Sequence, residues 1–475
     1  MRSVQRGAGG LTRRSFLSLA GTGAASAALA PLMPLASAAQ RGAPATAGAR
    51  RPNILLIYSD DQGAIDLNCY GARDLITPNL DGLASRGVRF TQFYSAAPLC
   101  SASRAALLSG MYPQRAGVPG NVSPGAEGMP ASRVTIAEML KSAGYATAHV
   151  GKWHLGHHAG TTPNAQGFDH SFGHLGGCID NYSHFFYWDG PNRHDLQRNG
   201  KEVFYPGQFF GDLMTAEIDR FVTAHRRDPW FCYWAINMPH YPYQGRAAWL
   251  ERYRDLPYPR NLYAAFMSTL DELVGTVLSR LRALGLERDT IVIFQADQGH
   301  STEVRAHSGG GNAGPYRGAK FSLFEGGIRV PAIVSWPGRL PENAVRGPFC
   351  TACDWLPTIA EWTGATRPAT TQDGYSLADI ARAEGVASHY PAFHWQSGGS
   401  AAKPQWAVRE GDWKLIGNPD DTSKKAPLTE EDALFLANPV ADPSEMTNLA
   451  ARHPDIVARL ARRHEEWAAE MGRAR

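Results

Sequence analysis

Residues 53–59 read Asn-Ile-Leu-Leu-Ile-Tyr-Ser, an unbroken apolar run that stops at two aspartates, Asp60 and Asp61. A strand with one wet face alternates apolar and polar side chains. A continuous run predicts a strand covered on both faces, the condition of a strand in a parallel sheet clothed by helices. Similar runs recur at residues 145–150, 230–236 and 290–295. Between them the pattern turns helical. Thr135 and Glu138 form a capping box for a helix reaching about Lys141, with Gly144 as its stop, and a second helix is predicted over about 264–284. Strands alternating with helices give an α/β fold with a mostly parallel sheet over residues 51–370.

From about residue 370 the texture changes. Short strand-like pieces at 406–409, 411–416 and 433–436 lie between turn residues, and Ile456, Leu460, Trp467 and Met471 mark one face of a terminal helix. This predicts a smaller antiparallel sheet plus helix over residues 371–475. At 475 residues the chain is too long for one small core and suits a large domain with such a companion.

Composition removes several functions. Lys and Arg total 47 against 44 Asp and Glu, so no broad basic field for nucleic acid exists and anion binding must be local. Six cysteines are too few for a disulfide scaffold. Cys350 and Cys353 have redox spacing but no second such pair, and are read as packing residues. Arg13-Arg14 before an Ala/Leu-rich stretch, with Ala36-Ser37-Ala38 as a cleavage site, reads as a twin-arginine (Tat-type) signal peptide over 1–38, followed by a linker at 39–50. This predicts export, to the periplasm or beyond, with the Tat machinery as a partner and no stable membrane insertion. Under that signal the sequons at Asn121 and Asn181 are accidental.

In open parallel sheets ligands bind outside the carboxyl ends of the strands. Here those ends carry Asp60-Asp61, then Lys152 and His154, then His240, then Asp297-Gln298. One such group is ordinary turn chemistry. Four on one rim are not. Asp60, Asp61, Asp297 and the Gln298 amide make an all-oxygen set suited to calcium or magnesium rather than zinc. Arg104, Lys152, His154, His240 and Lys320 describe a pocket for a tetrahedral oxyanion beside it. Cys100 stands in the run Cys-Ser-Ala-Ser-Arg, read as the mouth of a helix from Ser103 to Leu108 with Ser101 and Ser103 as caps and Gly110 as the stop. A thiol there faces free N–H donors. A packed cysteine and a direct thiolate nucleophile remain the alternatives.

The order Asp60-Asp61, Cys100 to Gly110, Gly151-Lys152-Trp153-His154, Pro239-His240, Asp297-Gln298-Gly299 and Gly318-Ala319-Lys320 resembles the type I, formylglycine-dependent sulfatases of the alkaline phosphatase superfamily, arylsulfatases among them. The likeness runs from about Asn53 to Leu449. Ala102 stands where many members have Pro, and Gln298 where Asn is usual. The resemblance implies that Cys100 is converted to formylglycine by a maturation enzyme, and that its hydrate attacks sulfur. It implies calcium, with magnesium the alternative, held by Asp60, Asp61, Asp297 and Gln298 with the modified Cys100 close by. Arg104 and Lys152 would polarise the hydrate, and His154 would help expel sulfate. His240 and Lys320 would bind the substrate sulfate. The expected activity is hydrolysis of an aryl or carbohydrate sulfate monoester. The alternatives are a phosphonate monoester or phosphodiester hydrolase of the same superfamily, and a glycan- or sulfate-binding protein whose Cys100 is never oxidised.

Overall fold

In the computed structural model, which describes residues 51–188, 192–398 and 404–473, the first apolar run forms the strand Asn53–Ser59 inside a ten-stranded sheet. It pairs in parallel with Trp230–Ala235 on one side and Thr290–Ala296 on the other. Beyond Trp230–Ala235 come Ala146–Lys152 and His170–His174, again parallel. Five neighbouring strands therefore end on one edge. The far side of the sheet is mixed, since Ala332–Ser335 runs antiparallel to Thr290–Ala296.

The unbroken apolar run has the reason expected of it. Ile54, Leu56 and Tyr58 pack into the layer holding Leu107, Leu140 and Trp355, while Leu55 and Ile57 face Phe210, Ile218 and Leu270 on the opposite side. Both sets are fully buried. Helices Cys100–Ser109, Ile136–Ser142 and Trp355–Thr363 thus cover one face, and Phe210–Ala224 and Arg260–Ala283 the other. Truncating a centre residue such as Leu56 to Ala is worth roughly 2–5 kcal/mol in such a layer. The Thr135–Glu138 capping box is present. The second predicted strand runs two residues further than its apolar stretch, so Lys152 is the last strand residue rather than part of a loop. Gly151 permits this. It sits at φ +115°, and a Cβ there would lie 2.0 Å from the Ala235 carbonyl oxygen.

The C-terminal sheet has four strands, Phe393–Ser397, Gln405–Glu410, Trp413–Gly417 and Leu434–Ala437, all antiparallel in that order. The first escaped sequence reading because Phe-His-Trp-Gln-Ser mixes polar and aromatic positions. On the terminal helix Pro454–Arg473 the buried positions are Leu460, His464, Trp467 and Met471, with Ile456 partly buried. A fully buried charge cluster joins this sheet to the preceding residues. Lys414 Nζ lies 2.7 Å from Glu325 Oε1 and 2.7 Å from Glu445 Oε1, the latter an ion pair without hydrogen-bond geometry. Tyr94 donates to Glu325 Oε2 at 2.6 Å, and the Glu325 N–H donates to Glu445 Oε2 at 2.6 Å. Residues Arg50–Arg475 accordingly form one unit.

All six cysteines are free, and Cys350 and Cys353 are buried in the packing. Asn181 is fully buried and bonded to Gln244 and Asn237, which bars that sequon from glycosylation. No helix among the described residues is long and apolar enough to cross a membrane. The expected signal peptide and linker lie outside the described residues.

Candidate active site

Asp60 and Asp61 continue directly from Ser59. The Asp60 N–H donates to the Met238 carbonyl at 2.9 Å and the Asp297 N–H to the Ser59 carbonyl at 3.0 Å. The ladder thus extends one residue past the strands and draws three strand ends together. Asp61 adopts φ +59°, a left-handed conformation that aspartate tolerates better than most residues. Its N–H donates to Asp297 Oδ1 at 3.0 Å.

Cys100 stands at the mouth of its helix as expected, but the expected serine caps do not form. The helix spans Cys100–Ser109, with Leu99 as N-cap and no side-chain cap, so Cys100 is itself the first helical residue. The two serines serve tertiary contacts instead. Ser101 Oγ accepts from the Val122 N–H at 3.0 Å, and Ser103 Oγ donates to the Asp297 carbonyl at 2.7 Å. Gly110 ends the helix at φ +68°, as read from sequence. The outcome pins the helix mouth to the rim. Cys100 Sγ lies 3.5 Å from Asp60 Oδ1, 4.0 Å from Asp61 Oδ1 and 3.5 Å from Gln298 Nε2.

The cations close around this point. Arg104 Nη2 lies 2.9 Å from Asp297 Oδ2 and 3.5 Å from Asp60 Oδ1, and Lys152 Nζ is 2.7 Å from Asp60 Oδ2. Lys320 Nζ is 2.9 Å from Asp61 Oδ2, and His240 Nε2 is 3.6 Å from that same oxygen. Almost none of this is exposed. Burial alone raises a carboxylate, yet Lys152, His240 and Arg104 hold Asp60 well below its usual range. Burial and the neighbouring Asp60 push both Asp61 and Asp297 up, although Lys320 and Arg104 respectively work against this. Burial, then Lys152 and Arg104, depress His154 strongly, and burial takes His240 down to about 3. Both rings are neutral at ordinary pH. Since His240 Nδ1 donates to the Tyr241 carbonyl at 2.6 Å, Nε2 carries the lone pair.

Asp60, Asp61 and Cys100 present donor atoms all within 4.8 Å of one another, a grouping able to hold a metal ion. Gln298 is the telling neighbour. Its Nε2 is turned toward Asp61 Oδ1 and Cys100, and its Oε1 is buried with no partner. Rotating the amide exchanges the two and aims the orphaned oxygen at the carboxylates. Asp297 Oδ1 accepts the Asp61 and Gln298 N–H groups while Oδ2 takes Arg104, so it abuts the cluster through its protein bonds. Close, desolvated carboxylates and a spare amide oxygen fit a hard divalent cation.

A cleft of about 160 Å³ opens over Cys100. His154, His240 and Lys320 form its polar wall; Val122, Phe186, Trp188 and Phe321 form an apolar one. The structure therefore brings together every residue singled out at the rim. Sequence reading missed Tyr241, and took Glu303 only as the start of a polar, Gly-rich stretch, 303–316, suited to another wall of the site. The Tyr241 carbonyl fixes the His240 ring, and its hydroxyl donates to Glu303 Oε2 at 3.2 Å. Only its nearness to Pro239-His240 in sequence hinted at Tyr241. The His300 carbonyl accepts the Lys320 N–H at 2.9 Å.

The model of the family described as Sulfatase matches residues 52–365, and one described as N-sulphoglucosamine sulphohydrolase, C-terminal, matches residues 318–470. Arylsulfatase A of Homo sapiens is 35% identical over 448 residues, covering 87% of this chain and 87% of its own length. N-acetylgalactosamine-6-sulfatase of Rattus norvegicus is 36% identical over 361 residues, covering 71% of this chain and 66% of its own. The crystal structure of Ps i-CgsB in complex with k-i-k-neocarrahexaose superposes with a TM-score of 0.77 at 29% identity, covering 88% of this chain and 93% of that one. A phosphonate monoester hydrolase of Agrobacterium radiobacter shares the fold with a TM-score of 0.60 at 20% identity over 89% of this chain and 96% of its own, which speaks to fold alone. Family match and relatives agree with the rim geometry: this chain belongs to the sulfatase family, as a type I sulfatase of the alkaline phosphatase superfamily.

Proposed function

We propose that this sulfatase cleaves an aryl or carbohydrate sulfate monoester at a nucleophile formed by oxidation of Cys100 to formylglycine, beside a divalent cation. One observation carries the reading. Cys100 opens onto a cleft lined by His154, His240 and Lys320 and lies within reach of Asp60, while burial pushes its thiol up and away from the thiolate form. An unmodified thiol in that setting is a poor nucleophile. A hydrated aldehyde supplies one hydroxyl for attack and a second whose deprotonation lets the sulfate leave. Calcium, or magnesium in its place, held by Asp60, Asp61, Asp297 and Gln298, supplies charge stabilisation at the sulfate oxygens.

The residues divide the remaining work. Arg104 and Lys152 hold the attacking group in position from beneath, anchored by Asp297 and Asp60. His154, kept neutral, accepts the proton that sulfate release requires. Lys320 donates to a sulfate oxygen. His240 binds beside it; a bound anion favours its protonated form, so that Nε2 becomes a donor. The aromatic wall suits an aryl or sugar ring. The named activities of the relatives and the neocarrahexaose complex support the carbohydrate option. We also read residues 1–38 as a Tat-type signal, so that a maturation enzyme acts on Cys100 before export to the periplasm or beyond. Residues 51–370 then form the catalytic domain and 371–475 its companion.

The test is a screen of the enzyme purified from its native host against aryl sulfates, sulfated sugars and matched aryl phosphonate esters. Preferential cleavage of a sulfate ester is expected. A clear preference for the phosphonate overturns the reading.

A further inference from the structure

Lys320, the cleft's anion-binding lysine, has two carboxylate neighbours. Besides Asp61 at 2.9 Å, its Nζ lies 3.6 Å from Glu303 Oε2. Glu303 is held in place, since the same oxygen accepts from Ser301 Oγ at 2.9 Å and Tyr241 OH at 3.2 Å. Its side chain remains 25% exposed. Yet the ring does not need it for charge balance. Arg104, Lys152 and Lys320 already face Asp297, Asp60 and Asp61 at shorter distances. Glu303 is a further negative charge set against the group that receives the anion.

The reaction changes the charge of what that group holds. A sulfate monoester and water give an alcohol, sulfate and a proton: ROSO3⁻ + H2O → ROH + SO4²⁻ + H⁺. The substrate carries one negative charge and the product two. An anion hydrogen-bonded to Lys320 sits on the order of 6 Å from Glu303 Oε2. A fixed carboxylate at that range repels a dianion twice as strongly as a monoanion. Other charges at the site act alike with or without Glu303, so this difference belongs to Glu303 alone.

We propose that Glu303 is a specificity-determining residue that matches the anion site to singly charged esters and favours departure of the doubly charged product. By the same rule it disfavours phosphate monoesters, which are dianionic at slightly alkaline pH. The inference deepens the sulfatase reading and rests on it for the identity of the ligands.

Glu303→Gln keeps the shape and an acceptor for Tyr241 while removing the charge. KM for an aryl sulfate and the inhibition constants of inorganic sulfate and phenyl phosphate are measured at pH 8, at low and high salt, for wild type, Glu303→Gln and Glu303→Asp. In Glu303→Gln both dianions should bind about fivefold more tightly relative to KM, an effect that shrinks as salt screens a partly exposed charge. Glu303→Asp should keep the wild-type ratio. Equal shifts in KM and both inhibition constants, or an Asp variant that behaves like Gln, overturns the proposal. Calorimetric binding of inorganic sulfate against methyl sulfate makes the same comparison without turnover. An enzyme that cleaves no sulfate ester sinks the broader reading, whereas an unchanged sulfate-to-methyl-sulfate ratio in Glu303→Gln sinks this one.

Discussion

Two buried charge clusters hold this protein together, and they are built from nearly the same parts. At the strand ends Lys152, Lys320 and Arg104 meet Asp60, Asp61 and Asp297. Under the C-terminal sheet Lys414 meets Glu325 and Glu445, with Arg329 and Tyr94 completing the set. Burial and pairing therefore do not distinguish a catalytic site from a structural lock. What differs is what is left over. The strand-end cluster surrounds a cleft and retains buried polar atoms without partners, Gln298 Oε1, His154 Nδ1 and Arg104 Nε among them. In the Lys414 cluster the one buried oxygen without a hydrogen bond, Glu445 Oε1, still faces Lys414 Nζ at 2.7 Å, and the third contact of Lys414 is the Leu323 carbonyl at 3.2 Å. Unspent donors and acceptors beside an opening mark the place where a ligand belongs.

The contrast makes opposite predictions for substitutions in the two clusters. The largest effect is expected at Cys100, where Cys100→Ala should lower kcat at least about 10³-fold with little change in melting temperature. A comparable fall in both would mean that Cys100 is a packing residue. Lys152→Ala should cost on the order of 10²–10³ in kcat, with a smaller loss of stability because Arg104 still faces Asp60. Lys414→Met should do the reverse. It leaves the buried Glu445 without the cation that faces it, and Glu325 with Arg329 alone, and should destabilise the fold by about 3–5 kcal/mol in urea titrations, leaving kcat per folded molecule unchanged. If Lys414→Met impaired kcat as much as Lys152→Ala, the distinction between lock and site would fail.

Much of this division was legible before any coordinates. The continuous apolar runs announced strands buried on two faces, and the polar residues at their ends announced a rim. Those signals are local, so sequence carries them. The Ser101 and Ser103 caps were misjudged because capping competes with tertiary partners, and here Val122 and Asp297 won. The strand Phe393–Ser397 and the roles of Tyr241 and Glu303 depend on partners distant in the chain, which no local pattern announces. The Lys414 cluster was invisible for the same reason. Its members lie 89 and 31 residues apart along the chain, counting from Glu325 to Lys414 and on to Glu445.

Smaller effects sharpen the comparison. A chelator should lower the melting temperature and the activity of the wild-type enzyme together, and added calcium should restore both. Lys414→Met, measured against its own baseline, should respond as wild type does. In the lock, burial raises Glu445 to about 7, with Lys414 working against that shift and Glu325 adding to it. The folded state then retains a proton that the unfolded chain gives up near the ordinary glutamate value. Its stabilising contribution is present below that value and is lost as pH rises toward 7. Unfolding free energy from pH 5 to pH 8 should therefore fall more in wild type than in Glu445→Gln, by about 1–3 kcal/mol. An identical pH slope would show that Glu445 is ionised throughout.

Mass spectrometry of the peptide bearing Cys100, taken from enzyme purified in an active state from its native host, tests the central claim most directly. The account predicts the CH2SH side chain replaced by an aldehyde or its hydrate. A preparation that hydrolyses sulfate esters while this thiol stays intact in every molecule would contradict it.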